Sequence, residues 1–208
     1  MNNASTKMRS VAKAASVVLL CCIATLLLAG CSSFGFIRTE SGDFYNIKAM
    51  NWASQSSSSM EPTIYSGESV YAEAHGAKEG RSGAWEGWSG AVEAGDVVLI
   101  SDPEVKGRTL IKRVVATEGQ VVSFKDGHMY VDGSMADESY VKGSSYPLSV
   151  QAKNVDISYP YTVPSGCVWV MGDNRENSQD SRYFGAIDTS NIGGVVRVVE
   201  SDGKYYSL

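Results

Sequence analysis

The sequence predicts an all-β catalytic domain behind an N-terminal apolar segment, and three observations support that class. No helical periodicity of useful length follows residue 40. Short runs rich in Val, Ile and Tyr recur instead, separated by turn residues. Two of those turns, Lys125-Asp126-Gly127 and Val131-Asp132-Gly133, have the composition that closes hairpins.

In chain order the predicted strands are Glu68–Ala74, Asp96–Ser101, Leu110–Ala116, Val121–Phe124, Met129–Val131, Cys167–Met171 and Gly194–Glu200. Many short strands without intervening helices imply a sandwich or barrel. His128-Met129-Tyr130 lies between the two glycine turns, so consecutive hairpins are expected there. Two stretches interrupt the pattern. His75 to Ala94 is rich in Gly and Ala and carries Trp85 and Trp88. It reads as a surface excursion, or as a segment whose indoles touch a membrane interface. Ser139 to Tyr159 is polar and irregular, and reads as a hairpin with a long tip.

The N-terminus divides the chain. Residues 1–13 carry Lys7, Arg9 and Lys13, and an uncharged stretch of 24 residues follows from Ala14 to Ile37. As a helix, residues 14–37 would cross a hydrocarbon core of roughly 30 Å. The preceding positive charge would keep residues 1–13 in the cytoplasm and place residues 38–208 outside. The alternative is a lipoprotein signal, because Leu28-Ala29-Gly30-Cys31 has the shape of a lipobox cleaved before Cys31. Either of these makes the lipid bilayer a partner; a fully secreted form is the third alternative, and all three export residues 41–208.

Composition narrows the partners. Residues 41–208 hold 14 Lys and Arg against 22 Asp and Glu. An acidic domain is a poor electrostatic match for nucleic acid. Cys21, Cys22 and Cys31 fall in the N-terminal segment, so Cys167 is alone in the exported part and forms no disulfide within it. Its apolar neighbours make it a packed cysteine rather than a reactive one.

The chemistry concentrates in three blocks. Lys112 and Arg113 interrupt Thr109-Leu110-Ile111-Lys112-Arg113-Val114-Val115, a run that otherwise reads as a buried strand. Burial lowers the pKa of an ammonium, and a neutral lysine can act as a general base. The alternative is an edge-strand lysine that discourages aggregation. Ser57-Ser58-Ser59-Met60-Glu61-Pro62-Thr63 places a serine before a proline-fixed turn, although a serine tract alone also suits a solvated linker. Serine attacks only when a base removes its proton. His75 and His128 are the only histidines, and neither has neighbours that suggest a triad. Ligand types are not clustered for a metal, so no metal or other cofactor is expected. Lys112 is the base that remains.

The third block is Gly172-Asp173-Asn174-Arg175-Glu176-Asn177-Ser178-Gln179-Asp180-Ser181-Arg182. Asp180 and Arg182 alternate in a way that offers an ion pair to Arg113. Ser178 supplies a hydroxyl that can orient a lysine.

On these residues the chain resembles the bacterial type I signal peptidases, membrane-bound serine–lysine enzymes that remove signal peptides. Four blocks stand in the family's order: Ser59-Met60-Glu61-Pro62-Thr63, Gly95-Asp96-Val97-Val98, Ile111-Lys112-Arg113-Val114-Val115, and Gly172-Asp173-Asn174-Arg175 with Ser178, Asp180-Ser181-Arg182 and Gly185. After Val115 the chain reads Ala116-Thr117-Glu118-Gly119-Gln120, which keeps only the glycine of the family's usual turn.

The resemblance implies a signal-peptidase-like β-domain after a membrane-anchoring helix, with Ser59 as nucleophile and Lys112 as base. It implies Ser57 in the oxyanion hole, Ser178 orienting the lysine, and Arg113, Asp173, Asp180 and Arg182 as a supporting charged set. It also implies preprotein substrates with small residues at −1 and −3, met at Ile111, Met60 and the strand before Ser59. Two other readings stay open: a self-cleaving regulator, and a catalytically silent surface lipoprotein that binds a partner.

Overall fold

The computed structural model describes residues 36–46, 50–74, 91–152 and 155–208. Cys31 and all but the last two residues of the expected anchor lie outside that set, as do His75, Trp85 and Trp88. Phe36 and Ile37 belong to β1 (Phe36–Arg38), which pairs with β2 (Phe44–Asn46). Among the described residues no helix is long and apolar enough to cross a membrane.

The chain then forms β3 (Asn51–Ser54), β4 (Ser69–Ala74), β5 (Val97–Ser101) and β6 (Thr109–Thr117). A meander follows: β7 (Val121–Lys125), β8 (His128–Val131) and β9 (Ser134–Met135). The remaining strands are β10 (Tyr161–Thr162), β11 (Cys167–Met171), β12 (Ile187–Asp188), β13 (Ile192–Ser201) and β14 (Lys204–Ser207). Among the described residues, helix is confined to α1 (Ser181–Phe184) and a 3-10 turn at Thr189–Asn191. The expected all-β class stands.

Eight strands make the main sheet, in the order β12-β11-β6-β5-β13-β4-β3, with β14 added on β13. A second sheet runs β10-β7-β8-β9. Its two hairpins form where the turns predict them. Asp126 and Gly127 have φ of 53° and 81°, and Asp132 and Gly133 have 52° and 77°. Paired positive φ values match the right-handed twist of the flanking strands, and Asp-Gly tolerates them.

Each predicted strand appears within a residue or two, and Cys167–Met171 coincides with β11. The reading of Ser139–Tyr159 as a hairpin is corrected. No strand forms among its described residues, and a parallel bridge between Lys142 and Asn174 holds it against the turn after β11.

β5 shows why its run is continuously apolar. Val98 and Ile100 enter one cluster with Val114, Val168, Val170 and Val195, whereas Val97 and Leu99 enter another with Met60, Ile64 and Ile111. Alternate residues point to opposite faces, so a strand packed on both faces has no polar positions. Burying each such side chain stabilises by about 1.5–3 kcal/mol. Trp169 on β11 is fully buried in a third cluster, with the Tyr161 ring 4.5 Å from its own. β6 contributes Val114, Ile111 and Val115 to the three clusters respectively. It is the strand on which the cores meet, and it carries Lys112.

Candidate active site

Pairing fixes Lys112 in register: it lies opposite Val98 on β5, and Arg113 lies opposite Met171 on β11. Strand alternation puts Lys112 on the face of Leu110 and Val114, so its aliphatic stem runs along apolar neighbours. The residue is 3% exposed. Its Nζ lies 2.9 Å from Ser59 Oγ and 2.8 Å from the Ile111 carbonyl oxygen. Burial depresses its pKa from 10.5 to about 8, against the opposing pull of Asp180, Asp173 and Asp102. Desolvation wins, and a neutral amine becomes accessible near neutral pH.

Ser59 reaches the same point from an irregular loop between β3 and β4. Ser54, Ser56 and Ser57 are exposed, but the end of the serine tract is pinned at Ser58 and Ser59. The Ser59 carbonyl accepts from the Asn174 N–H at 3.0 Å, and the Ser58 carbonyl accepts from Asn174 Nδ2 at 3.0 Å. Asn177 Nδ2 donates to Ser58 Oγ at 2.6 Å. A turn from Ser58 to Ile64 continues the loop, with the Ile64 N–H donating to the Met60 carbonyl. Ser57 stands beside the nucleophile: its hydroxyl donates to Ser59 Oγ at 3.2 Å and accepts the Ser59 N–H at 3.4 Å.

The charged residues divide into two sets rather than one. Arg113 forks onto Asp173, with Nε to Oδ1 at 2.9 Å and Nη2 to Oδ2 at 2.7 Å. Thr63 donates to the same carboxylate at 2.5 Å, and the Tyr140 ring lies 4.1 Å from the Arg113 guanidinium carbon. Asp180 takes Arg182 instead, through Nε and Nη2, both at 2.9 Å. The expected pairing of Asp180 with Arg113 is thus replaced by Asp173–Arg113, because Asp180 faces back to its own helical turn and caps it. Asp180 also accepts the Gly172 N–H at 3.0 Å, so the buried pair fixes the turn that carries Asp173 and Asn174.

Ser178 lies in the site, but its hydroxyl is buried without a partner among the described residues. The bond expected to Lys112 is not made in this conformation. Gly172 explains how close the group comes: a Cβ there would sit 2.3 Å from Ser178 Oγ and 2.5 Å from the Ser59 carbonyl oxygen. Only glycine lets the two chains approach that far.

Met60 and Ile111, expected to meet the substrate, are largely buried. Met60 is fully buried and Ile111 is 4% exposed, both in the cluster beneath the sheet. Their place in that cluster, with Leu99 and Val97, puts them in the packing around the site. A groove of about 250 Å³ opens at Leu99, which pairs with Ile111 across the ladder, and is lined also by Asn51, Trp52, Ala53, Thr109 and Gly193.

Several contributors left no sequence signal. Glu138 and Ser145 receive Arg175 Nη1, and Arg175 Nε donates to the Gly172 carbonyl at 3.0 Å, bracing the turn from outside. These partners are 30 and 37 residues apart in an irregular stretch, where no periodicity reports contact. Thr63 lay inside the Ser59 block and was legible there only as part of a turn. His128 does not reach Ser59 or Lys112 among the described contacts, and no cluster of metal-ligating side chains occurs among the described residues. His128 is an exposed residue beside Glu138.

Comparison with known proteins agrees with this chemistry. The family model described as "Signal peptidase, peptidase S26" matches residues 44–200. Signal peptidase IB of Staphylococcus aureus is 34% identical over 147 residues, spanning 66% of this chain and 71% of its own. Signal peptidase I V of Bacillus subtilis is 38% identical over 112 residues, or 50% of this chain and 64% of its own. The crystal structure of a signal peptidase I from Enterococcus faecalis shares 27% identity and a TM-score of 0.42, covering 51% of this chain and 97% of the other. With a family match across most of its length and a serine against a buried lysine, this chain belongs to the signal peptidase family, peptidase S26, and is a serine endopeptidase.

Proposed function

We propose that this chain removes signal peptides from exported preproteins on the outer side of the cytoplasmic membrane, with Ser59 as nucleophile and Lys112 as general base. The observation that carries the proposal is the 2.9 Å contact between Lys112 Nζ and Ser59 Oγ in a site where the lysine is 3% exposed. Neutral Lys112 takes the Ser59 proton as Oγ bonds to the scissile carbonyl carbon, and the carbonyl electrons move to oxygen. The Ser57 hydroxyl and the Ser59 N–H, now turned on each other, are the donors proposed for that oxyanion. Losing one such donor typically costs roughly 2.7–4 kcal/mol of transition-state stabilisation.

As the intermediate collapses, the Lys112 ammonium returns the proton to the leaving amine, and the acyl-enzyme remains. Water then attacks the ester by the reverse proton route. Ser178, buried and unpartnered beside Gly172, is the hydroxyl proposed to orient the lysine. Arg113, Asp173, Asp180 and Arg182 hold the turn that positions Ser59. The groove between β3 and the β5–β6 ladder suits an extended segment of substrate, because it flanks the residues leading into both Ser59 and Lys112. Residues 38–208 form the proposed catalytic domain, tethered by a spanning helix that starts at Ala14 and ends before β1 at Phe36, or by a lipid on Cys31.

Incubating the purified full-length protein with an exported preprotein tests the reading. The native chain releases a signal peptide cut after a small residue, while Ser59→Ala and Lys112→Arg release none. Equal cleavage by Ser59→Ala would overturn the assignment. Intact mass of membrane-extracted protein settles the tether: a chain retaining its first residues indicates the helix, and a lipid-modified Cys31 N-terminus indicates the alternative.

A further inference from the structure

Ser59 Oγ has a third neighbour that neither the motifs nor the dyad explain. Gln55, four residues before the nucleophile, is 4% exposed, and its Nε2 lies 3.5 Å from Ser59 Oγ. Its backbone is fixed on both sides: the Gln55 N–H donates to the Glu68 carbonyl and the Gln55 carbonyl accepts from the Gly67 N–H, each at 2.8 Å. The side chain therefore leaves a rigid point in the direction of the nucleophile. Burying an amide is unfavourable unless it is hydrogen-bonded, so a glutamine in this position calls for a partner. The separation is at the long end for a hydrogen bond, as catalytic contacts often are before substrate closes the site.

A serine hydroxyl has one proton and two acceptor lone pairs. Around Ser59 Oγ stand Lys112 Nζ at 2.9 Å, Ser57 Oγ at 3.2 Å and Gln55 Nε2 at 3.5 Å. If Ser57 and Gln55 both donate, the two lone pairs are occupied and the Ser59 proton is left to face Lys112. That arrangement needs Lys112 neutral. With Lys112 as an ammonium, three donors compete for two lone pairs. Gln55 thus works against the ammonium form and supports the alkoxide that develops as the proton leaves.

We propose that Gln55 is a positioning residue for the reaction, donating its side-chain amide to Ser59 Oγ and so directing the Ser59 proton onto Lys112. The proposal rests on the Ser59–Lys112 reading and adds to it. The charged groups around Lys112 are Asp180 and Asp173 from the turn after β11, with Asp102 and Arg108 from the β5–β6 connection. The carboxylates favour its ammonium form and Arg108 disfavours it. None of them contacts Gln55 among the described hydrogen bonds, so changing Gln55 leaves that set in place.

The test is the pH profile of preprotein turnover by the full chain and by Gln55→Leu, an apolar side chain of similar length. Losing one donor is expected to lower kcat roughly three- to tenfold at pH 7 and to raise the midpoint of the alkaline rise by up to about one pH unit. KM and the melting temperature stay close to native values. Gln55→Glu provides a second readout, because a carboxylate beside Lys112 stabilises the ammonium and moves the midpoint higher still. Native midpoints in both variants would overturn the proposal. Ser59→Ala in the same assay separates the two ideas. An inactive Ser59→Ala with unshifted Gln55 variants sinks only the role of Gln55, and an active one sinks the dyad with it.

Discussion

Ser59 and Lys112 meet at one point but are held by opposite means. Lys112 sits inside a nine-residue strand paired on both edges, with backbone ladders fixing its Cα and three apolar clusters fixing the strand. Ser59 sits on a loop with no ladder, and side chains from a turn more than 110 residues later do the fixing. The contrast follows from what each group needs. A base whose pKa is lowered by burial needs a water-poor, unyielding wall, which a central strand supplies. A nucleophile must project toward a substrate, and so sits where the backbone leaves the sheet. Errors at the two places should therefore have different signatures: on the strand they change electrostatics, and on the loop they change aim.

The strongest way to break this contrast is Lys112→Met. Activity is expected to fall on the order of 10⁴-fold or more, as for removal of a catalytic base. Stability should move the other way. The folded pKa, about 8, lies below the unfolded 10.5, so the unfolded chain binds the extra proton more tightly between these values. The native protein therefore gains stability as pH rises from about 8 to 10.5, and below 8 it carries the full cost of a buried ammonium. Methionine removes that cost, and urea titration at pH 7 should show a gain of about 1–3 kcal/mol. A less stable variant would mean that the lysine contacts outweigh its desolvation. In the native enzyme, turnover should rise with pH through about 8. A profile with an acidic optimum would point to a carboxylate base.

Asp180→Ala comes next. It leaves Arg182 buried and unpaired and strips an acceptor from the Gly172 N–H, so unfolding free energy should drop by about 3–5 kcal/mol. A drop below 1 kcal/mol would show that water replaces the carboxylate. Asn174→Ala acts on aim alone. Losing the Nδ2 bond to the Ser58 carbonyl should cost about 1 kcal/mol of stability while slowing turnover by roughly an order of magnitude, read as kcat with KM unchanged. If stability and turnover fell in proportion, the loop would not be a separate positioning device. Lys142→Ala is the smallest. Its ion pair with Glu61 is exposed, and neither melting temperature nor turnover should move beyond error.

The strands were legible because β4, β5, β6, β11 and β13 are long enough to show their composition, and the Asp-Gly turns fix φ locally. Two-residue strands such as β9, β10 and β12 were not, since pairing rather than sequence creates them. The dyad was readable for a similar reason: a lysine in an apolar strand and a serine before a proline turn are each anomalous within a few residues.

By itself, the sequence determined the fold class and the acidic character of residues 41–208, and it singled out Ser59 and Lys112 as the proposed reacting pair. Only tertiary structure decided which carboxylate meets which arginine. Asp173 and Asp180 are chemically alike and seven positions apart, so composition cannot separate them; the turn at Gly172 aims one at Arg113 and the other at Arg182. The same holds for Gln55 and Glu138, whose roles depend on separations of 3.5 Å or less between side chains that no local pattern links. Local chemistry is written in neighbouring residues, whereas partnership between distant side chains exists only after the sheets have closed.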